Sequence, residues 1–161
     1  MDSAQKIKEE KKLKKIVQRL KGEGKRIVFT NGCFDILHYG HIKYLESAKR
    51  YGDVLIVAVN SDNSVKRLKG KNRPINNQRE RTNIVASLGC VDYVTIFEEL
   101  SPYRLIKSLK PDCLIKGADW KKEDIVGKDI VKSHGGKVRV VPFIKNYSTT
   151  DLIRKIVKKF S

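Results

Sequence analysis

Residues 27–41 read IVFTNGCFDILHYGH, and the change of character along this stretch decides the fold. Ile27, Val28, Phe29 and Thr30 form a short β-branched and aromatic run, the pattern of a buried strand. Asn31 and Gly32 interrupt it. By Ile42 the spacing of apolar residues has become helical, so a strand passes through a polar, glycine-bearing turn into a helix. Two of the chain's three histidines, His38 and His41, stand at that transition with Gly40 between them.

The same alternation recurs outward from this stretch. Short apolar runs at 54–60, 93–97, 113–116 and 138–141 predict further strands. Helical patterns are predicted at 42–51, 77–88, 103–109, more weakly at 122–134, and at 149–160. A first helix over 3–20 carries an apolar stripe of Ile7, Leu13, Ile16, Val17 and Leu20, and Gly22 and Gly24 end it. Strands alternating with helices imply parallel pairing, because a parallel connection needs a long crossover. The strands read as continuous apolar runs, as burial on both faces demands. The chain is therefore expected to be a doubly wound α/β protein, a single domain over 1–161 with an N-terminal helix in 1–22 and a core in 26–160.

In such sheets ligands bind beyond the carboxyl ends of the strands, where strand order reverses. The loops after strands one, two, four and five read NGCFDILHYGH, NSDNSVKRLKGKNRP, KGADW and IKNYSTT. All four are polar, which points to a phosphate-rich ligand.

Composition narrows the classes. The 161 residues suffice for one core, and the longest apolar run, Val54 to Val59, is too short to cross a bilayer. The N-terminal MDSAQKIKEEKKLKK lacks the apolar centre of a secretory signal, so a cytoplasmic protein without membrane partners is expected. Three cysteines without CxxC spacing read as reduced thiols. The net charge of +17 keeps a basic nucleic-acid-binding protein as a rival class. Against it, the lysines are interspersed with glutamates, as in KIKEEKKLKK, instead of forming a clustered footprint.

With a helix starting near His38, both imidazoles lie on the face of its first turn. Gly40 has no side chain, so a ligand can approach the backbone there. Unpaired N–H groups at a helix start make a seat for phosphate. Imidazoles with ordinary pKa values near 6.5 gain protons beside phosphate, so both rings are expected to donate hydrogen bonds at neutral pH. Positioning and charge stabilisation are what displacement at phosphorus requires. Zinc is a competing use of Cys33, His38 and His41, but no fourth ligand has suitable spacing. Plain packing or capping by the histidines is another. There is no GxxxxGK[ST], and no GxGxxG follows the first strand, which disfavours a Walker-type ATPase and a dinucleotide oxidoreductase.

TNGCFDILHYGH resembles the nucleotidyltransferase superfamily marked by HxGH. Together with VNSD, KRLKGKNRPIN, RxxxVASL, IKGADW and STTDLI, in this order, it is similar to the adenylyltransferase domains of ADP-heptose synthases. The resemblance implies a Rossmann-like fold of nucleotidyltransferase type. It also implies a reaction in which ATP and D-glycero-β-D-manno-heptose 1-phosphate give ADP-heptose and pyrophosphate, with Mg²⁺ accompanying the nucleotide. It puts Thr30, Asn31, Gly32, Cys33 and Phe34 in the nucleotide-binding turn and His38 and His41 on the ATP phosphates. Asn60 and Asp62 fall near the sugar phosphate. Lys69, Arg73 and either Arg79 or Arg81 become charge clamps of the second loop. Lys116, Gly117 and Asp119 fall at the nucleobase and ribose, and Ser148, Thr149 and Thr150 near the phosphates.

Ser148 and Asp151 also have capping-box spacing, and a capped helix start can itself be an anion seat. Asp35 is expected to bind its own turn's backbone, and Trp120 to be either a pocket wall or a packed surface aromatic. Relatives that activate glycerol phosphate with CTP usually have Gly-Thr where this chain has Gly32-Cys33, and an arginine where it has Lys145-Asn146-Tyr147, which favours the heptose branch. A cytidylyltransferase of glycerol-3-phosphate type and an FAD-synthetase-like adenylyltransferase remain the alternatives within the superfamily. Many heptose synthases carry a sugar-kinase domain ahead of this one; here a separate heptose kinase is expected, and homodimers are common in the superfamily.

Overall fold

The computed structural model describes residues 2–118, 124–142, 144 and 147–160. Its strands are β1 (Ile27–Gly32), β2 (Val54–Asn60), β3 (Tyr93–Phe97), β4 (Cys113–Gly117) and β5 (Lys137–Val141). They form one five-stranded parallel sheet in the order β3-β2-β1-β4-β5. The helices are α1 (Ser3–Lys6), α2 (Glu10–Gly22), α3 (Tyr39–Lys49), α4 (Asp62–Lys69), α5 (Gln78–Ala86), α6 (Tyr103–Leu109), α7 (Lys128–Ser133) and α8 (Thr149–Phe160). The expected Rossmann-like, doubly wound architecture is the one found.

Alternation along each strand divides the core in two. Ile27, Phe29, Ile56 and Leu114 meet Leu13 and Val17 of α2 and Leu105 and Ile106 of α6 on one face. Val28, Leu55, Val57 and Ile115 meet Tyr44, Leu45 and Ala48 of α3 and Val85 and Ala86 of α5 on the other. All seven residues of β2 are buried, which explains its unbroken apolar sequence. β5 is an edge strand, and Lys137 and Arg139 on it are exposed.

The N-terminal helix departs from expectation. It breaks between α1 and α2, where Ile7 bridges to Val94 and the Lys8 N–H donates to the Val94 carbonyl at 2.9 Å. Ile7 is out of helical phase with Leu13, Val17 and Leu20, so one straight helix could not bury all four. The open edge of β3 supplies a hydrogen-bond partner instead, and the break covers part of that edge. The second loop also holds structure the pattern did not show. Ser61 Oγ accepts the Ser64 N–H at 3.2 Å and starts α4, and Gly70, at φ 98°, ends it. The weak pattern at 122–134 resolves into α7 alone among the described residues. Among those residues no helix is long and apolar enough to cross a membrane.

Candidate active site

Strand order reverses between β1 and β4, so the connections leaving those strands diverge to opposite faces of the sheet and open a crevice. A cleft of about 790 Å³ lies there. Of the residues singled out in the sequence, it is lined by Asn31 to Phe34, His38, His41, Asn60, Lys69, Arg73, Lys116, Gly117 and Ser148 to Thr150. Asp119 and Trp120 lie outside the described residues, as do Lys145 and Asn146.

His38 is the N-cap of α3 and His41 sits in its first turn. The His41 N–H is shared between the His38 carbonyl at 2.9 Å and His38 Nδ1 at 3.4 Å. Nδ1 therefore acts as an acceptor and the ring proton resides on Nε2. The two imidazoles stack with centroids 3.8 Å apart at 19°. Phe34 braces them from behind, its ring edge-on to His41 at 5.3 Å. Phe34 stands at φ 46° in this brace, and a Cβ on Gly32 would press against its ring at 3.0 Å.

In the free protein, with no phosphate beside them, both imidazoles lie below the ordinary histidine pKa. Burial lowers the His38 pKa. Burial and then the neighbouring His38 bring His41 down to about 4, against a smaller opposing effect of the Ile36 backbone. Both imidazoles are neutral near pH 7, each with one N–H to donate. Gly40 is also required by packing within the protein. A Cβ there would meet Tyr147 Cβ at 2.9 Å and the His38 ring at 3.2 Å, so the open side of this glycine is taken by protein.

Asp35 and Arg81 pin the second loop to the first. Asp35, 2% exposed, binds the next loop's backbone and not its own turn: its Oδ1 accepts the N–H groups of Ile75 and Asn76 at 2.8 and 3.0 Å. Its Oδ2 pairs with Arg73 Nε at 2.6 Å. Arg81 is fully buried; it donates to the Asn76 carbonyl at 3.0 Å, the Cys33 carbonyl at 2.6 Å and Asp62 Oδ1 at 2.8 Å. The four cations from which the charge clamps were to come thus differ. Arg81 and its partner Asp62 are structural crosslinks away from the cleft lining, and Arg79 lies outside that lining on the exposed face of α5. Arg73 lines the cleft while paired to Asp35. Lys69 lines it with no ion-pair partner among the described residues.

Asn60 is held by its Nδ2 donating to Ser64 Oγ at 2.9 Å, with Cys33 Sγ 4.0 Å from its Oδ1. Burial raises the Cys33 thiol pKa, with Lys69 and Arg81 opposing, so Cys33 is a neutral thiol. Thr30 does not reach the cleft; its Oγ1 is 2.7 Å from the Tyr44 hydroxyl, which donates to the Ile115 carbonyl at 3.2 Å. Lys116 Nζ donates to Asn31 Oδ1 at 2.6 Å, joining β4 to β1 at the point where they part. Ser148 Oγ accepts the Asp151 N–H at 3.0 Å, so the N-terminus of α8 meets the cleft beside that of α3. Sequence reading missed the loop after β3, which adds Leu100, Ser101 and Pro102, and the apolar lining from Leu68, Val126 and Ile144. The loop after β3 leaves the same sheet edge as the others, and that position was its only signal. Among the described residues no three His, Cys, Asp or Glu side chains converge as metal ligands.

Residues 29–155 match the family model described as cytidylyltransferase-like. The chain is 54% identical over 159 residues, 99% of its length, to the Bifunctional protein HldE of Geobacter metallireducens, and spans 32% of that protein. It thus spans about a third of the curated relatives it matches. Among solved structures it resembles a lipopolysaccharide core biosynthesis protein from Thermoplasma volcanium, with TM-score 0.63 and 34% identity over 78% of this chain and all of that one. A pantoate-beta-alanine ligase from Francisella tularensis, at TM-score 0.62 and 22% identity over 95% of this chain and 76% of its own, shares the fold. With a strand-order reversal, a histidine pair at the helix start there, and a family model covering residues 29–155, this chain belongs to the cytidylyltransferase-like family.

Proposed function

We propose that the chain is an adenylyltransferase that joins the AMP moiety of ATP to D-glycero-β-D-manno-heptose 1-phosphate, giving ADP-heptose and pyrophosphate. The observation that carries the reading is the stacked histidine pair on the N-cap turn of α3, at the mouth of the cleft between β1 and β4. The choice of the heptose branch is supported by the six ordered motifs and by 54% identity to a HldE protein along 99% of the chain. The likeness to a lipopolysaccharide core biosynthesis protein supports the same choice.

In this reading a phosphate oxygen of the sugar attacks the α-phosphorus of ATP in line. The new P–O bond forms as the bond to the β-phosphate oxygen breaks, and the electron pair leaves with pyrophosphate. Nε2–H of His38 and the N–H of His41 donate to the oxygens on which charge grows, and the starts of α3 and α8 add backbone N–H groups. Lys69 neutralises the departing pyrophosphate. Arg73, Asp35 and Arg81 keep the loop bearing Lys69 against the nucleotide turn. Mg²⁺ enters with ATP as part of the substrate. Asp35 and Asp62 are each paired to an arginine, so the donor set suits a cation carried mainly by phosphate oxygens and water. The sugar 1-phosphate comes from a kinase, on a separate chain or in sequence adjoining this domain, and the reaction is cytoplasmic.

The test is release of pyrophosphate from ATP and from CTP, each against heptose 1-phosphate, glycerol 3-phosphate and FMN. Turnover confined to ATP with the heptose phosphate is the expected result. Preference for CTP with glycerol 3-phosphate, or for ATP with FMN, would replace this assignment by one of the two alternatives.

A further inference from the structure

The sheet has a second end. Where β1, β4 and β5 begin, opposite the histidines, a smaller cleft of about 320 Å³ lies between the C-terminal end of α3 and the edge strand β5. Its walls carry Arg26, Arg50, Tyr51, Lys137 and Arg139 around Cys113. Register explains the convergence. Cys113 is level with Lys137 and Ile115 with Arg139 on neighbouring parallel strands, and level residues project to the same face. Cys113 and Ile115 belong to the core on the α3 side, so the two β5 cations project to that side as well. Arg50 and Tyr51 arrive from the end of α3, and Arg26 immediately precedes β1.

Countercharge is scarce there. Asp112 is the only acid among the described lining residues, and both its oxygens are used: Lys21 Nζ donates to Oδ1 at 2.9 Å and the Ile27 N–H to Oδ2 at 2.8 Å. Arg26 is loosely paired with Asp53 at 3.7 Å. Arg50, Lys137 and Arg139 have no ion-pair partner among the described residues. The cations act on the floor of the cleft: burial raises the Cys113 thiol pKa, and Arg139, Lys137 and Arg26 oppose the rise. Like charges sharing a concavity repel one another, and a bound anion relieves that repulsion. Guanidinium groups add planar donor pairs that fit phosphate oxygens.

We propose that this cleft is a second anion site, taking a small phosphorylated molecule such as a phosphate monoester or pyrophosphate. Its cations close a pocket instead of running along a stripe, which favours a small ligand over a nucleic-acid strand. None of its residues lines the histidine cleft, so the site does not depend on the function proposed above. An occupant would touch the far end of the helix that carries both histidines.

The experiment titrates the ¹⁵N-labelled full chain with inorganic phosphate, pyrophosphate, AMP and a short single-stranded oligonucleotide, following backbone amide resonances. Saturable shifts at Arg50, Tyr51, Cys113, Lys137 and Arg139 are expected with pyrophosphate and with at least one monophosphate, independent of those at residues 31–41. Comparing inorganic phosphate with AMP tells whether the nucleoside contributes. K137E/R139E should weaken binding at this end at least about tenfold while the response of His38 and His41 to pyrophosphate persists. K137Q/R139Q, with its melting midpoint compared with the parent chain, guards against loss of fold and should weaken the same shifts. Absence of shifts at these five residues, shifts of equal affinity in both variants, or a response to the oligonucleotide alone would each overturn the proposal.

Discussion

His41 gives up its proton because it is packed against another imidazole and the edge of Phe34, where an added charge would be poorly solvated. Its folded-state pKa of about 4 lies below the ordinary 6.5, so the unfolded chain binds more protons between those values. Stability is then full above pH 6.5 and is lost as pH falls toward 4, with a slope of up to about 1.4 kcal/mol per pH unit from this residue. Urea unfolding at a series of pH values should show that slope, and His41→Gln should flatten it. In catalysis, replacing His38 or His41 by alanine should lower kcat by about 100- to 1,000-fold in the pyrophosphate assay. The His38→Ala chain should stay folded and lose no more than about 1 kcal/mol, the worth of its cap on the His41 N–H. The pair itself was legible as HxGH. Its stacking and neutrality were not, because they depend on the left-handed turn at Phe34 and on Tyr147 filling the space beside Gly40.

Among the elements, the contact that most constrains the site is the pinning of the second loop and α5 onto the β1 turn. Arg81 links the Cys33 carbonyl, the Asn76 carbonyl and Asp62 from a fully buried position. Arg81→Ala would strand Asp62 without its partner and leave two carbonyls unsatisfied, which should cost about 3 kcal/mol or more. Equilibrium denaturation measures that loss. Arg79→Ala, two residues away and exposed, should change stability by no more than about 0.5 kcal/mol in the same experiment. The sequence shows these arginines as members of one basic loop. What separates them is which carboxylate comes near, and Asp35 lies 38 residues before Arg73. Helix α4 was illegible for a different reason: its apolar positions are few, and its existence rests on the Ser61 cap and on Val65 meeting the core.

For the whole molecule, a net charge of +17 surrounds a cleft suited to a polyanion. Long-range attraction of this kind raises the encounter rate and is screened by salt. Raising ionic strength from about 0.05 to about 0.5 M should lower kcat/KM for ATP several-fold with little change in kcat. Steady-state kinetics at the two salt concentrations separates the effects. The charge is not spent only at the site: it recurs at the opposite end of the sheet around Cys113, and on α2 and α8.

Hydrophobic periodicity determined the strands, most of the helices and the doubly wound class, because residues buried on both faces of a sheet must be apolar in unbroken runs and this shows locally. The spacing of His38, Gly40 and His41 likewise marked a helix start with two imidazoles on one turn. Tertiary structure alone decided where the sheet reverses, why the first helix breaks to cover β3, and which basic residues face the cleft instead of locking its walls. Those outcomes turn on pairings between segments remote in sequence, and a pairing leaves no local periodicity to read.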